Sequence, residues 1–79
     1  MKKIILLGPL SNQLGFKEKD VDGSDIIDII SKVDRKGIIL QNGKIKPGYI
    51  ILINGVDLRI KSKVSDGDVI YVVPINHGG

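Results

Sequence analysis

Residues 22–37 read Asp-Gly-Ser-Asp-Ile-Ile-Asp-Ile-Ile-Ser-Lys-Val-Asp-Arg-Lys-Gly, and this stretch decides how the rest of the chain must pack. Ile26, Ile29, Ile30 and Val33 fall at i, i+3, i+4 and i+7, so a helix here carries one apolar face. Asp25, Asp28, Ser31 and Lys32 lie off that face. Asp22 is placed to cap the first turn, with Asp25 three residues on as its acidic partner, and Ser24 is the alternative cap. Arg35 and Lys36 make a basic last turn and Gly37 a stop. Acids at the front and bases at the back also suit the helix dipole. An Ile-rich stripe of this kind is core, not a cofactor site.

One helix with one apolar face needs a sheet to cover it, and the flanking sequence supplies strands. Lys3–Leu7 is a β-branched apolar run closed by Gly8-Pro9, and reads as the first strand. Ser11–Gly15 is turn-rich, and Phe16–Val21 alternates with charged residues as a half-exposed second strand does. Beyond the helix, Ile38–Leu40, Gln41-Asn42-Gly43 and Lys44-Ile45 form a short connecting segment with an Asn-Gly turn. Lys46-Pro47-Gly48 is a break. Tyr49–Ile53 is the most apolar strand and is expected at the centre of the sheet. Asn54-Gly55 signals a hairpin into Val56–Ile60. Ser65–Asp68 is a turn, and Val69–Val73 is the last strand, ended by Pro74, which cannot donate to a ladder.

The order is strand, strand, helix, strand, short strand, strand, an α+β arrangement with one helix across one face of a mixed sheet. It matches the β-grasp (ubiquitin-like) layout of four to five strands. By that analogy the first and last strands are neighbours in the middle of the sheet. The expected division is a β-grasp domain over 1–74 and a flexible Gly-Gly tail over 75–79.

Composition narrows the function classes. Seventy-nine residues make one thin-cored domain, since a chain this short buries only about 60% of its unfolded surface. There is no cysteine, so the chain has neither a disulfide framework nor a thiolate zinc site, and it cannot hold sulfur or an acyl group on its own thiol. The apolar run after Met1-Lys2-Lys3 stops at Gly8-Pro9, short of the ~7–15 residues of a signal h-region. No stretch approaches the ~20 apolar residues of a membrane span. A cytoplasmic, monomeric protein without membrane contact is expected. The net charge is +3, with Lys and Arg scattered among the acids and only three aromatics, so the reading is a mixed solvated surface without direct nucleic-acid contact.

The informative segment is Pro74-Ile75-Asn76-His77-Gly78-Gly79. Two final glycines arise by chance at roughly 0.5%, and gain weight from standing directly behind a turn, a strand and a short spacer. Glycines can run extended through a channel that any side chain would block. A terminal carboxylate, ionised at neutral pH, is a poor electrophile and must be activated, most directly by adenylation with AMP as leaving group. A sulfur donor attacking that adenylate gives a thiocarboxylate, and a lysine gives an isopeptide bond.

Asp66-Gly67-Asp68, an apolar strand, Pro74 and Gly78-Gly79 resemble the end of the sulfur carriers that serve molybdopterin and thiamine synthesis. His77-Gly78-Gly79, and Lys46-Pro47-Gly48 placed before Ile50-Leu52-Ile53-Asn54 behind the Ile38–Ile45 insertion, resemble more closely the ubiquitin-related modifier and small archaeal-type modifier branch. The resemblance covers most of the chain from Asp22 onward. It differs from molybdopterin-type carriers, which often have two prolines near Pro74, and from thiamine-type carriers, which are shorter and lack the 34–48 insertion.

The resemblance implies a carrier or modifier, not an enzyme. A ubiquitin-activating-type enzyme adenylates Gly79, and a sulfurtransferase (rhodanese-like, or another persulfide donor) converts it to a thiocarboxylate. The sulfur then passes through a tRNA thiolase to a wobble uridine, or Gly79 joins target-protein lysines. No bound cofactor is implied, since ATP is used by the activating partner. Gly78 and His77 are the tail-recognition candidates. Tyr71, Val73 and Ile75 are the partner-binding candidates, with Ile70 and Val72 placed toward the helix and Tyr71 and Val73 outward. One histidine without a second ligand is not a metal site, and without a Ser or Cys it is no catalytic base. Arg59, Lys61 and Lys63 could form a basic strip beside the tail. Asp66 and Asp68 most simply serve their turn. Two rival readings are the small subunit of a molybdopterin synthase and a non-covalent β-grasp binding domain in which the glycines are accidental.

Overall fold

The computed structural model describes residues 1–57 and 63–75. Seven strands and two helices occur among them: β1 (Lys2–Leu6), α1 (Leu10–Leu14), β2 (Glu18–Val21), α2 (Ile26–Val33), β3 (Leu40–Gln41), β4 (Lys44–Ile45), β5 (Tyr49–Ile53), β6 (Val56–Asp57) and β7 (Val69–Pro74). The main sheet runs β2-β1-β7-β5-β6, and β3 with β4 forms a separate two-stranded ladder. β1 and β7 are parallel neighbours, and every other pairing is antiparallel. This is the mixed β-grasp sheet expected, with the first and last strands side by side.

The register explains the core. Ile4 pairs with Ile70, and Ile70 with Ile53; Leu6 pairs with Val72, and Val72 with Ile51. Because side chains alternate across a strand, these two rows share one face, and all six are buried. The stripe of α2, Ile26, Ile29, Ile30 and Val33, is buried in the same cluster, together with Leu10, Ile39 and Val64. The helix face and the inner sheet face therefore close on each other as the periodicities require. Truncating Ile29 or Ile30 to alanine would open a cavity at a cost of about 2–5 kcal/mol.

The local readings need four corrections. Ser11–Gly15 is not a turn but the body of α1: Leu10 and Leu14 sit at i and i+4, Leu10 is buried, and Gly15 closes the helix at φ +85°. The cap of α2 is Asp25, whose carboxylate accepts from the Ile27 amide at 3.1 Å, and not Asp22 or Ser24. Gly23, between those candidates, has φ +130°, and a Cβ there would stand 2.9 Å from Ile29 Cγ1, so the approach to the helix needs a glycine. At the other end the helix stops at Val33, four residues before Gly37. Finally, β5 is not central. That place belongs to β7, because centrality follows from the parallel pairing with β1 and not from strand hydrophobicity.

Asp34 replaces Gly37 as the device that ends α2. Its own amide still bonds to Ile30 O, but its carboxylate turns back and accepts from the amides of Ile38, Ile39 and Leu40 at 2.8, 2.9 and 2.8 Å. Three donors satisfy one carboxylate that is only 7% exposed. That clasp sets the entry to the β3–β4 hairpin, whose Asn42-Gly43 turn has positive φ at both residues.

Candidate functional site: the outer sheet face and the root of the tail

The face of β7 opposite α2 carries Tyr71 and Val73, both half-buried, as the alternation predicts. Tyr71 lies between Ile5 of β1 and Leu52 of β5, and Val73 pairs with Ile50. These five side chains form an apolar band across three strands on the side of the sheet opposite α1 and α2. A shallow depression of about 420 Å³ opens there, lined by Leu7, Leu52, Asn54, Gly55, Val69 and Tyr71. The sequence reading named Tyr71 and Val73 but missed Ile5, Leu7, Ile50, Leu52 and Val69. The period-two pattern of β1 and β5 carried their orientation; which strands lay beside β7 was the missing information.

Both ends of β7 are fixed. At its start, Asp68 is 8% exposed and accepts from Asn54 Nδ2 and the Ser65 amide, both at 2.8 Å. Asn54 in turn accepts from the Val69 amide at 2.9 Å, and its own amide donates to Val69 O. The Asn54-Gly55 hairpin is thereby tied to the Asp66-Gly67-Asp68 turn across two strands. The N-terminal amine of Met1 contacts Asp66, Gly67 N donates to Met1 O, and Lys3 N donates to Asp68 O. Asp68 serves the turn as expected and also ties it to β5, whereas the Asp66 carboxylate contacts the Met1 amine.

At the far end Pro74 pairs with Tyr49, and a Cβ on Gly8 would lie 3.1 Å from Pro74 Cγ. Ile75 follows, 36% exposed, and its amide donates to Gly48 O at 2.6 Å. The root of the tail is thus gripped between the Gly8-Pro9 and Pro47-Gly48 corners, which explains why both breaks are present in the sequence. His77, Gly78 and Gly79 lie outside the described residues, as do Arg59 and Lys61. Lys63 is described: it is exposed and its backbone forms an isolated antiparallel β-bridge with Asp25 at the opposite end from the tail root, so it is not part of a basic strip beside the tail.

Electrostatically the outer face is quiet. Lys3 and Glu18 form an ion pair at 3.0 Å on its flank, and the hydrogen bond and charge of Glu18 raise the Lys3 pKa. Among the described residues no group of three or more His, Cys, Asp or Glu is arranged to hold a metal ion. Nor is any helix among them long and apolar enough to cross a membrane.

Comparison with known proteins places this geometry. Residues 10–79 match the family model Urm1 (Ubiquitin related modifier). Ubiquitin-related modifier 1 of Schizosaccharomyces pombe is 34% identical over 55 residues, which cover 65% of this chain and 57% of that protein; the chain thus spans little more than half of that relative's length. The crystal structure of Sulfolobus solfataricus Urm1 is 38% identical and superposes with a TM-score of 0.85 over 92% of this chain and 99% of that one. The Amycolatopsis orientalis BexX/CysO complex contains a chain that shares the fold, with a TM-score of 0.85 over the whole of both chains at 21% identity.

Proposed function

The chain belongs to the ubiquitin-related modifier family, and on that premise we propose that it is a sulfur carrier and protein modifier whose working group is the carboxylate of Gly79. A ubiquitin-activating-type enzyme transfers AMP to that carboxylate. The persulfide of a sulfurtransferase then displaces AMP to give an acyl disulfide. A second thiol cleaves its S–S bond as a disulfide forms on the transferase, and the thiocarboxylate so released passes its sulfur to a tRNA wobble uridine. A lysine amine attacking the activated carboxyl gives an isopeptide bond instead. The chain is a substrate throughout, and the ATP is bound by its partner.

The observation that carries this reading is the architecture of β7. The strand that leads directly into the Gly-Gly segment is the central one, bonded on both sides, with an uncovered apolar band on its outer face. A partner that seats on Ile5, Leu52, Tyr71 and Val73 has the start of the tail in fixed register, so the reacting end is delivered from a rigid origin. The BexX/CysO pair is a neighbour in which a chain of this fold is found in a complex.

Intact mass spectrometry of the chain purified from its native cell tests the chemistry: a mass gain equal to oxygen-to-sulfur exchange at Gly79, or Gly79 found in isopeptide linkage, is expected. Unchanged function after deletion of Gly78 and Gly79 would overturn it. The face is tested by Tyr71→Lys with Val73→Lys, expected to reduce adenylation at least 100-fold while circular dichroism stays native. An unfolded double variant would show instead that this face belongs to the core.

A further inference from the structure

The charges that are scattered along the sequence are sorted by the fold. β1 and β7 run parallel and β5 antiparallel to them, so the sheet has one end where β1 and β7 finish and β5 begins, and this is where the tail leaves. The turn after α2 sits at that end, because Arg35 and Lys36 share a cleft with Asn12–Gly15, which follow β1. Lys17, whose carbonyl accepts from the Leu6 amide, and Lys46, whose amide donates to Ile39 O, belong to it too. Lys17, Arg35 and Lys36 are exposed and Lys46 half-buried. Among the described residues none of the four enters an ion pair. The acids at this end are Asp34, buried and occupied by three amides, and Glu18, which follows Lys17, pairs opposite Ile5 and is held in an ion pair by Lys3. Asp20, Asp22, Asp25, Asp66 and Asp68 all lie at the other end, beside Met1 and the start of α2.

We propose that the tail-bearing end is a docking surface for the phosphodiester backbone of the RNA that receives the sulfur. The proposal rests on the reading of Gly79 as a sulfur donor to RNA and adds where that RNA lies. The cleft between α1 and the turn after α2, about 520 Å³ and lined by Asn12, Gln13, Leu14, Gly15, Arg35 and Lys36, is concave, polar and cationic, which fits a phosphate group. The tether sets the distance: residues 75–79 reach at most about 17 Å when fully extended. When Gly79 meets a nucleotide, the cations around the root of the tail are therefore brought close to neighbouring phosphates, while Asp20, Asp22, Asp25, Asp66 and Asp68 stand a strand length away, about 17–20 Å. A screening length of about 8 Å makes that segregation effective: phosphates at the tail end feel the cations and little of the acids. The apolar band of β7 lies on a separate face, so a protein partner and RNA can be engaged at once.

The test uses the full chain and fluorescently labelled unfractionated tRNA, with binding followed as a function of salt. Arg35→Gln with Lys36→Gln is compared with Lys2→Gln with Lys63→Gln, which removes the same charge from the other end. The first pair is expected to weaken binding at least tenfold and to lower the log–log salt slope by about 1.4, two phosphate contacts' worth, while the second changes affinity less than twofold. Absence of wild-type binding at low salt, or equal losses from both pairs, overturns the proposal. Adenylation by the activating enzyme is measured alongside. A loss there in place of a loss of RNA binding assigns this end to an acidic protein surface and likewise overturns it. A wild-type chain that never gains the thiocarboxylate in its native cell overturns the underlying reading, and the mass spectrum shows this independently of the binding data.

Discussion

The two ends of the sheet are each organised by a buried aspartate, and they use it differently. At the tail end Asp34 accepts three consecutive amides, Ile38 to Leu40, and all its bonds lie within six residues of itself. At the other end Asp68, among the described residues, reaches the nearby Ser65 amide and a side chain 14 residues away, Asn54. The first is a local clasp that shapes a loop; the second is a long-range pin that fixes which residues of β5 and β7 face each other. A carboxylate satisfied locally costs little chain entropy to assemble, whereas one satisfied across strands also specifies register.

If the number of amides stripped of their acceptor governs the cost, Asp34→Ala is the most damaging change at either end. It leaves one buried and two half-buried donors to find water, and is expected to lower stability by about 3–4 kcal/mol, read as a shift of the urea midpoint at constant slope. Asp68→Ala removes the acceptor of the Ser65 amide and the partner of Asn54 Nδ2, and these two bonds account for an expected loss of about 2–3 kcal/mol. The reverse order would break the comparison and show that register outweighs hydrogen-bond count.

The two Asn-Gly turns sharpen it further. Asn42 and Asn54 have almost the same backbone, φ 54° and 53°, so replacing either by alanine carries the same left-handed penalty. Only Asn54 is bonded to Asp68 and Val69. Asn54→Ala is therefore expected to cost roughly 1–2 kcal/mol more than Asn42→Ala, the difference being the pin alone. Equal costs would mean that the turn, not the side-chain network, sets the register.

The smallest effect concerns Lys3 on the flank of the outer face. Its pKa is raised in the folded state by Glu18, so its stabilising contribution is fully present below the unfolded value of about 10.4 and is lost as pH rises through the higher folded value. Lys3→Gln is expected to leave neutral-pH stability nearly unchanged, as for other exposed pairs. It should also flatten the alkaline decline, measured by urea denaturation between about pH 9 and 11.5. A steeper decline would contradict the sign of that linkage.

Periodic features were legible because they repeat over a few residues. The α2 stripe follows from a spacing of 3.6, and a spacing of 2 puts Ile70 with Val72 and Tyr71 with Val73; which of those faces turns to the helix came from the family resemblance. Cap assignment was harder: Asp22, Ser24 and Asp25 are all competent caps, and what chose Asp25 was the path imposed by Gly23 against Ile29. α1 was hidden because Ser, Asn, Gln and Gly read as turn, while Leu10 and Leu14 form too short a stripe to stand out. The central place of β7 came only from the fold analogy: five apolar residues in Tyr49–Ile53 outweigh any local signal from a strand whose place is set by pairing with residues 66 positions away.

By itself, then, the sequence determined the strands and α2 with its buried stripe, both Asn-Gly turns and the family resemblance carried by the residues from Asp22 to Gly79. All of these are written in local spacing or in short motifs. The tertiary structure alone decided that Asp34 and Asp68 would be buried and satisfied, and that Ile5, Leu7, Ile50, Leu52 and Val69 would join Tyr71 and Val73 in one band. It also decided that Lys17, Arg35, Lys36 and Lys46 would gather at the tail end, with Asp20, Asp22, Asp25, Asp66 and Asp68 at the other. Neighbours in a sheet and charges at its ends are set by which way each strand runs, and strand direction is a property of the assembled fold rather than of any one segment.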